Sequence, residues 1–138
     1  MMQSNNNKEK LTEQSDAKVK YQKGSDLSIM LEEHGGPTEN IWTTTRFILS
    51  NGIVSLFLHD FGANVKAFCG DDEYEETIKL SAIDSDTFID KIGINEKYED
   101  EVKAILQEKL RGQFGDYVQG FRRLCDDWGL KIASSSWY

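Results

Sequence analysis

The chain has 138 residues, 38% apolar and 29% charged, with 16 Lys and Arg against 24 Asp and Glu for a net charge of −8. That is the length of one domain. No apolar run approaches the ~18 residues of a membrane-spanning helix, and an acidic chain is a poor match to phosphate backbones. Neither membrane insertion nor direct nucleic-acid binding is therefore expected.

Residues 1–24 differ from the rest. They hold Asn5-Asn6-Asn7, five basic and three acidic residues, and few hydrophobes. Such a stretch buries too little apolar surface to offset its ordering entropy, so it reads as a disordered or loosely attached tail. Residues 25–138, with 11 basic and 21 acidic side chains, read as a single acidic domain. The start, Met1-Met2-Gln3-Ser4-Asn5, lacks a basic region followed by an apolar core, so no secretory signal is expected. The expected location is the cytoplasm, with Cys69 and Cys125 as free, core-type thiols.

In residues 26–34, Leu27, Met30, Leu31 and His34 follow helical spacing, while Leu27, Ile29 and Leu31 alternate as in a strand. Both readings stay open, a strand or a short helix packed at the sheet edge. Gly35-Gly36-Pro37 ends the segment. The clearest local signal follows. Trp42–Ser50 and Ile53–Phe61 are β-rich runs joined by Asn51-Gly52, the pair that supplies two positive φ angles to a type I′ hairpin turn. A two-residue turn sets Ser50 against Ile53, Phe47 against Leu56 and Thr45 against Leu58. One face then carries Phe47, Leu49, Val54, Leu56 and Leu58, a core face. The other carries Arg46, Ile48, Ser55, Phe57, His59 and Phe61, a mixed and partly covered one.

Further strands are expected at Val65–Cys69 and Tyr74–Ala82, after turns at Gly62-Ala63-Asn64 and Gly70-Asp71-Asp72. The period then changes to helical. Asp84 or Ser85 is the expected cap of a helix running through Ile92 and stopped by Gly93. Tyr98, Val102, Ile105 and Leu106 mark a second helix with an acidic start. Asp116 caps a third, whose stripe is Tyr117, Val118, Phe121, Leu124, Cys125 and Trp128, with Gly129 beyond its end. A final strand begins near Leu130-Lys131-Ile132. Strands and helices in separate blocks predict an α+β fold: an antiparallel meander with two or three C-terminal helices on one face.

The chemistry is less explicit. No GxGxxG or phosphate-loop motif occurs, and no Cys or His spacing fits zinc, so no cofactor or metal is expected. His59 could meet Cys69, but it is more simply a polar residue on a half-exposed sheet face. Asp71, Asp72, Glu73, Glu75 and Glu76 form the densest carboxylate run. The run lacks the ligand spacing of an EF-hand loop, and nothing marks a cleft for paired catalytic carboxylates. It reads as a charged turn and edge strand that resists sheet-edge aggregation, as an acidic docking surface for a basic partner, with Phe57, His59 and Phe68 adding contact, or as a metal or catalytic group. Trp137 and Tyr138 at the terminus either dock on the sheet or anchor an interface.

The segment Phe121-Arg122-Arg123-Leu124-Cys125-Asp126-Asp127-Trp128-Gly129-Leu130-Lys131-Ile132, closing in Ser135-Ser136-Trp137, resembles the end of small bacterial toxin-immunity proteins. The strand-rich acidic middle, Ile53 to Ala82, is similar in character. The resemblance implies an inhibitor that neutralises a basic protein, such as a nuclease toxin, by covering its site. It carries over no catalytic residue. The alternatives are an accessory or structural protein of a bacterial or mobile-element assembly, or a small enzyme with no visible motif. Homo-oligomerisation is compatible with each.

Overall fold

A computed structural model of the chain describes residues 19–35, 42–61, 73–112 and 116–137. Five strands, β1 (Leu27–Gly35), β2 (Trp42–Ser50), β3 (Ile53–Phe61), β4 (Glu73–Leu80) and β5 (Ile132–Trp137), form one antiparallel sheet in sequence order. Three helices, α1 (Ala82–Ile92), α2 (Glu99–Leu110) and α3 (Tyr117–Asp127), cover one face of it. The fold is α+β, as the separate strand and helix blocks predict.

The hairpin has the register set by its turn. Ser50 faces Ile53, Phe47 faces Leu56 and Thr45 faces Leu58, with Asn51 at φ 51° and Gly52 at φ 78°. Both turn residues sit in the left-handed region that Asn and Gly tolerate best. Residues 26–34 resolve as edge strand β1, not a helix. The register of β1 shifts at Leu31, so Met30 pairs with Arg46 and Glu32 with Thr45. This extra residue explains the mixed spacing, because a bulge interrupts the period of two. The Leu31 carbonyl accepts a hydrogen bond from Gln107 Nε2 of α2, at 3.0 Å.

β3 pairs directly with β4, His59 against Glu75 and Leu56 against Ile78. The strand expected at Val65–Cys69 and its two flanking turns lie outside the described residues. β5 extends the sheet beyond β4, with Ile132 against Leu80.

The expected caps of α1 are corrected. Ser81 is the N-cap, and its hydroxyl accepts from the Asp84 amide at 3.2 Å. Asp84 and Ser85 have longer-range tasks. The Ser85 hydroxyl is buried and accepts from the Val54 amide at 2.8 Å, and the Asp84 carboxylate accepts from the Lys131 amide at 3.1 Å. Gly93 ends α1 at φ 78°, Asp116 caps α3 through the amides of Val118 and Gln119, and Gly129 follows α3 at φ 71°.

The core lies between the helices and one sheet face. Ile29, Phe47, Leu49, Val54, Leu56, Ile78 and Leu80 from the strands meet Phe88, Ile89, Ile92, Val102, Leu106, Leu110, Phe121 and Cys125 from the helices, all buried. α1 lies over β3 and β4, α2 over β1, and α3 against α2. Phe88 ties the layers together. Its ring is 6.0 Å from that of Phe47, 5.5 Å from Phe121 and 5.6 Å from Trp128, in the range where aromatic pairs add to area burial. Gly120 sets how closely α3 approaches α2. A Cβ there would lie 1.6 Å from the Leu110 carbonyl oxygen, so no side chain fits.

The last residues of the stretch read as a tail belong to the body. Tyr21 is 6% exposed, its amide donates to the Lys97 carbonyl at 2.8 Å, and its carbonyl accepts from the Glu96 amide at 2.7 Å. Lys23 Nζ sits 2.9 Å from Asp86 and 2.7 Å from Asp90 on α1. The signal is a lone aromatic among polar residues, too sparse to form a periodic stripe. Residues 1–18 lie outside the described residues. No described helix is long and apolar enough to cross a membrane.

Candidate functional site

Among the described residues, the other sheet face carries no helix. Strand alternation places Met30 and Glu33 of β1, Trp42, Thr44, Arg46 and Ile48 of β2, Ile53, Ser55, Phe57 and His59 of β3, and Glu73, Glu75, Thr77 and Lys79 of β4 on that face. Most of these are half-buried, while Glu33 and Lys79 are exposed. Charge is unevenly spread along the strands. Glu33, Glu73 and Glu75 gather at the end marked by Trp42 and His59, while Arg46 and Lys79 stand further along.

At the acidic end the β3–β4 register assembles three side chains. His59 faces Glu75 across the pair, and Glu73 lies two residues before Glu75 on the same face. His59 Nε2 is 3.1 Å from Glu73 Oε1 and 3.7 Å from Glu75 Oε2. The imidazole is braced by the neighbouring Phe57 ring, whose centroid is 5.8 Å away in an edge-on arrangement at 62°. On the β1–β2 side, the Trp42 indole N–H donates to Glu33 Oε2 at 2.9 Å, and Arg46 Nη1 donates to Ser28 Oγ at 3.1 Å.

The carboxylate run expected to act as one surface is divided by the pleat. Glu73 and Glu75 share the helix-free face with Phe57 and His59. Glu76 points to the helix side, where its carboxylate is 3.5 Å from Arg122 Nη2 of α3. Asp71, Asp72, Phe68 and Tyr138 lie outside the described residues. Trp137 closes β5 at the register position opposite Glu75. Sequence reasoning missed Met30 and Glu33 as members of this face, because the pairing of β1 was not legible and a bulge at Leu31 breaks its alternation; Trp42 follows the alternation of Arg46 and Ile48 and was missed although legible from it.

Concavities among the described residues lie elsewhere. A groove of about 650 Å³ runs between α3 and β5, lined by Gln119, Arg122, Arg123, Asp126, Leu130 and Ile132. Its arginines already have partners: Arg122 meets Glu76, and Arg123 reaches the Arg111 carbonyl at 3.5 Å. A cavity of about 290 Å³ lies beneath the 21–25 turn, with Tyr21, Leu49, Ala82 and Ile89 in its wall. In the latter, the Ser85 hydroxyl is engaged with the Val54 amide and Lys23 with Asp86 and Asp90. Cys125 is buried, and burial together with the nearby Asp84 charge pushes its thiol up to about 12, so it stays protonated and unreactive at neutral pH. Cys69 lies outside the described residues. No protein-family model matches the chain, and neither does any curated protein or solved structure.

Proposed function

We propose that the protein is an acidic protein-binding module, an inhibitor of the immunity kind, which docks its helix-free sheet face on a basic protein partner such as a nuclease toxin. The observation that supports this most is the composition of that face: half-buried Ile48, Phe57 and Met30 set around Arg46, with Glu33, Glu73 and Glu75 towards one end. A face of this kind provides apolar area for the centre of an interface and carboxylates for its rim. Carboxylates can stand where a nuclease would hold phosphates, and their field speeds the encounter. The net charge of −8 acts in the same sense and disfavours direct nucleic-acid binding. In this reading the module works in the cytoplasm, needs no cofactor and performs no catalysis.

The test is affinity capture from the native source at low and then moderate salt, followed by association kinetics with the captured partner. Glu73→Gln with Glu75→Gln should lower the on-rate and flatten its salt dependence. Phe57→Ala should act mainly on the off-rate. Unchanged kinetics in both variants would remove this face from the interface. Turnover of a small molecule by the purified protein, with no partner captured, would replace the binding reading with an enzymatic one.

A further inference from the structure

The juxtaposition of one imidazole and two carboxylates has a use that docking does not require. We propose that His59 Nε2, Glu73 Oε1 and Glu75 Oε2 form a binding site for a first-row transition-metal dication of the Zn²⁺ type.

The spacing suits a metal. Donors bound at 2.0–2.2 Å to one tetrahedral centre stand roughly 3.3 Å apart. Here the nitrogen lies 3.1 and 3.7 Å from the two oxygens, and all three donor atoms fall within 4.8 Å of one another. Small side-chain rotations bring all three to a common point.

The donor chemistry narrows the ion. Ca²⁺ and Mg²⁺ prefer all-oxygen shells, whereas an imidazole with carboxylates suits Zn²⁺, Co²⁺, Mn²⁺ or Fe²⁺. Charge points the same way. Glu73 and Glu75 bring two carboxylates beside the imidazole, and a dication would balance their charge. An ion pair between partly exposed groups contributes little to stability, so the trio is held together by the β3–β4 register rather than by its own pairing.

The scaffold is rigid where it needs to be. β3 and β4 are interior strands: His59 is paired with Thr44 of β2 and Glu75 of β4, Glu75 also faces Trp137 of β5, and Glu73 is paired with Phe61 of β3. Phe57 steadies the imidazole ring. Glu73 and Glu75 keep 45% and 34% of their side-chain surface exposed, so a bound ion would complete its shell with water or an incoming ligand, the pattern of an open site. The site shares Glu73 and Glu75 with the docking reading, and a titration of the isolated chain tests it without any partner.

The experiment uses the full chain, stripped with a chelator and dialysed. Titration with ZnCl₂ by calorimetry, and with CoCl₂ by visible absorbance, should give one saturable equivalent. His59→Ala, Glu73→Gln and Glu75→Gln should each weaken binding about tenfold or more. His34→Ala, which removes the separate His34–Glu32 pair, and Glu76→Gln, on the opposite face, should leave it unchanged. All variants change partly exposed side chains, and thermal unfolding checks that they fold. Absence of saturable binding, or binding that survives both His59→Ala and Glu75→Gln, would overturn the proposal.

Discussion

The helix-covered face of the sheet and its helix-free face are built from alternate residues of the same strands, yet they are organised by different forces. On the covered face, Phe47, Val54, Leu56 and Ile78 are almost wholly removed from water. Their order comes from close packing, and any change of volume is felt. On the helix-free face, Arg46, Ile48, Phe57, His59 and Glu75 remain partly wet. Their order comes from register, which sets side chains in fixed rows without enclosing them. One face stores most of the stability. The other is free to vary in chemistry at small cost, which suits a surface for recognition.

Substitutions should separate the two faces sharply. The largest effect is expected for Phe88→Ala, which removes the ring shared by Phe47, Phe121 and Trp128. It should cost about 3–5 kcal/mol in chemical denaturation, the usual range for a buried Phe. A cost below ~1 kcal/mol would show that the helix layer is not packed as described. Gly120→Ala comes next. A methyl group there collides with the Leu110 backbone, so α2 and α3 must separate, at a cost of about 3 kcal/mol, the upper part of the overpacking range. Neutral behaviour of this variant would mean that the two helices lie further apart.

The boundary of the body gives an intermediate effect. Removing residues 1–24 deletes Tyr21 and Lys23 with their contacts to the 96–97 turn and to α1. The melting temperature should fall by about 10 °C, corresponding to a few kcal/mol in a domain of this size. An unchanged melting temperature would return these residues to the tail. Phe57→Ala, on the other face, should cost less, about 1–2 kcal/mol, since part of its surface is already in contact with water. A loss as large as that of Phe88→Ala would mean that the two faces are not different in kind.

A smaller effect should appear with alkali. Cys125, Tyr21 and Lys23 all hold their protons more tightly in the fold than their ordinary values of 9.0, 10.0 and 10.5. Burial is the main cause for Cys125 and Tyr21, and hydrogen bonds to Asp90 and Asp86 for Lys23. Above pH 9 the unfolded chain releases protons that the folded chain still retains. Stability from these groups is therefore intact below pH 9 and is lost as pH rises from about 9 toward about 12. A melting-temperature series across that range should slope downward, and Cys125→Ala should remove its earliest part. All three groups lie on the helix side, so substitutions on the helix-free face should leave the slope unchanged.

Much of this comparison was legible in the residues. The hairpin register followed from Asn51-Gly52, because few residue pairs accept two successive positive φ angles. The α3 stripe was legible because six apolar side chains recur at helical spacing behind an Asp cap. β1 was ambiguous because the bulge at Leu31 breaks its alternation. The cap of α1 was misassigned because Asp84 and Ser85 are cap-type residues whose oxygens serve the Lys131 and Val54 amides instead. The trio on the helix-free face was invisible as a motif. His59 is 14 residues from Glu73, a spacing that no ligand signature uses.

Sequence alone thus determined the α+β class, the β2–β3 register and the buried stripes of the helices, all of which depend on preferences acting over a few neighbouring residues. Only the tertiary structure decided that β3 pairs directly with β4, that Gly120 lets α3 lie against α2, that Glu76 parts company with Glu73 and Glu75, and that His59 meets the latter two. These outcomes depend on which distant segments share a hydrogen-bonded ladder or a packed face. No local preference encodes that choice, because it is made by the burial of the whole core at once.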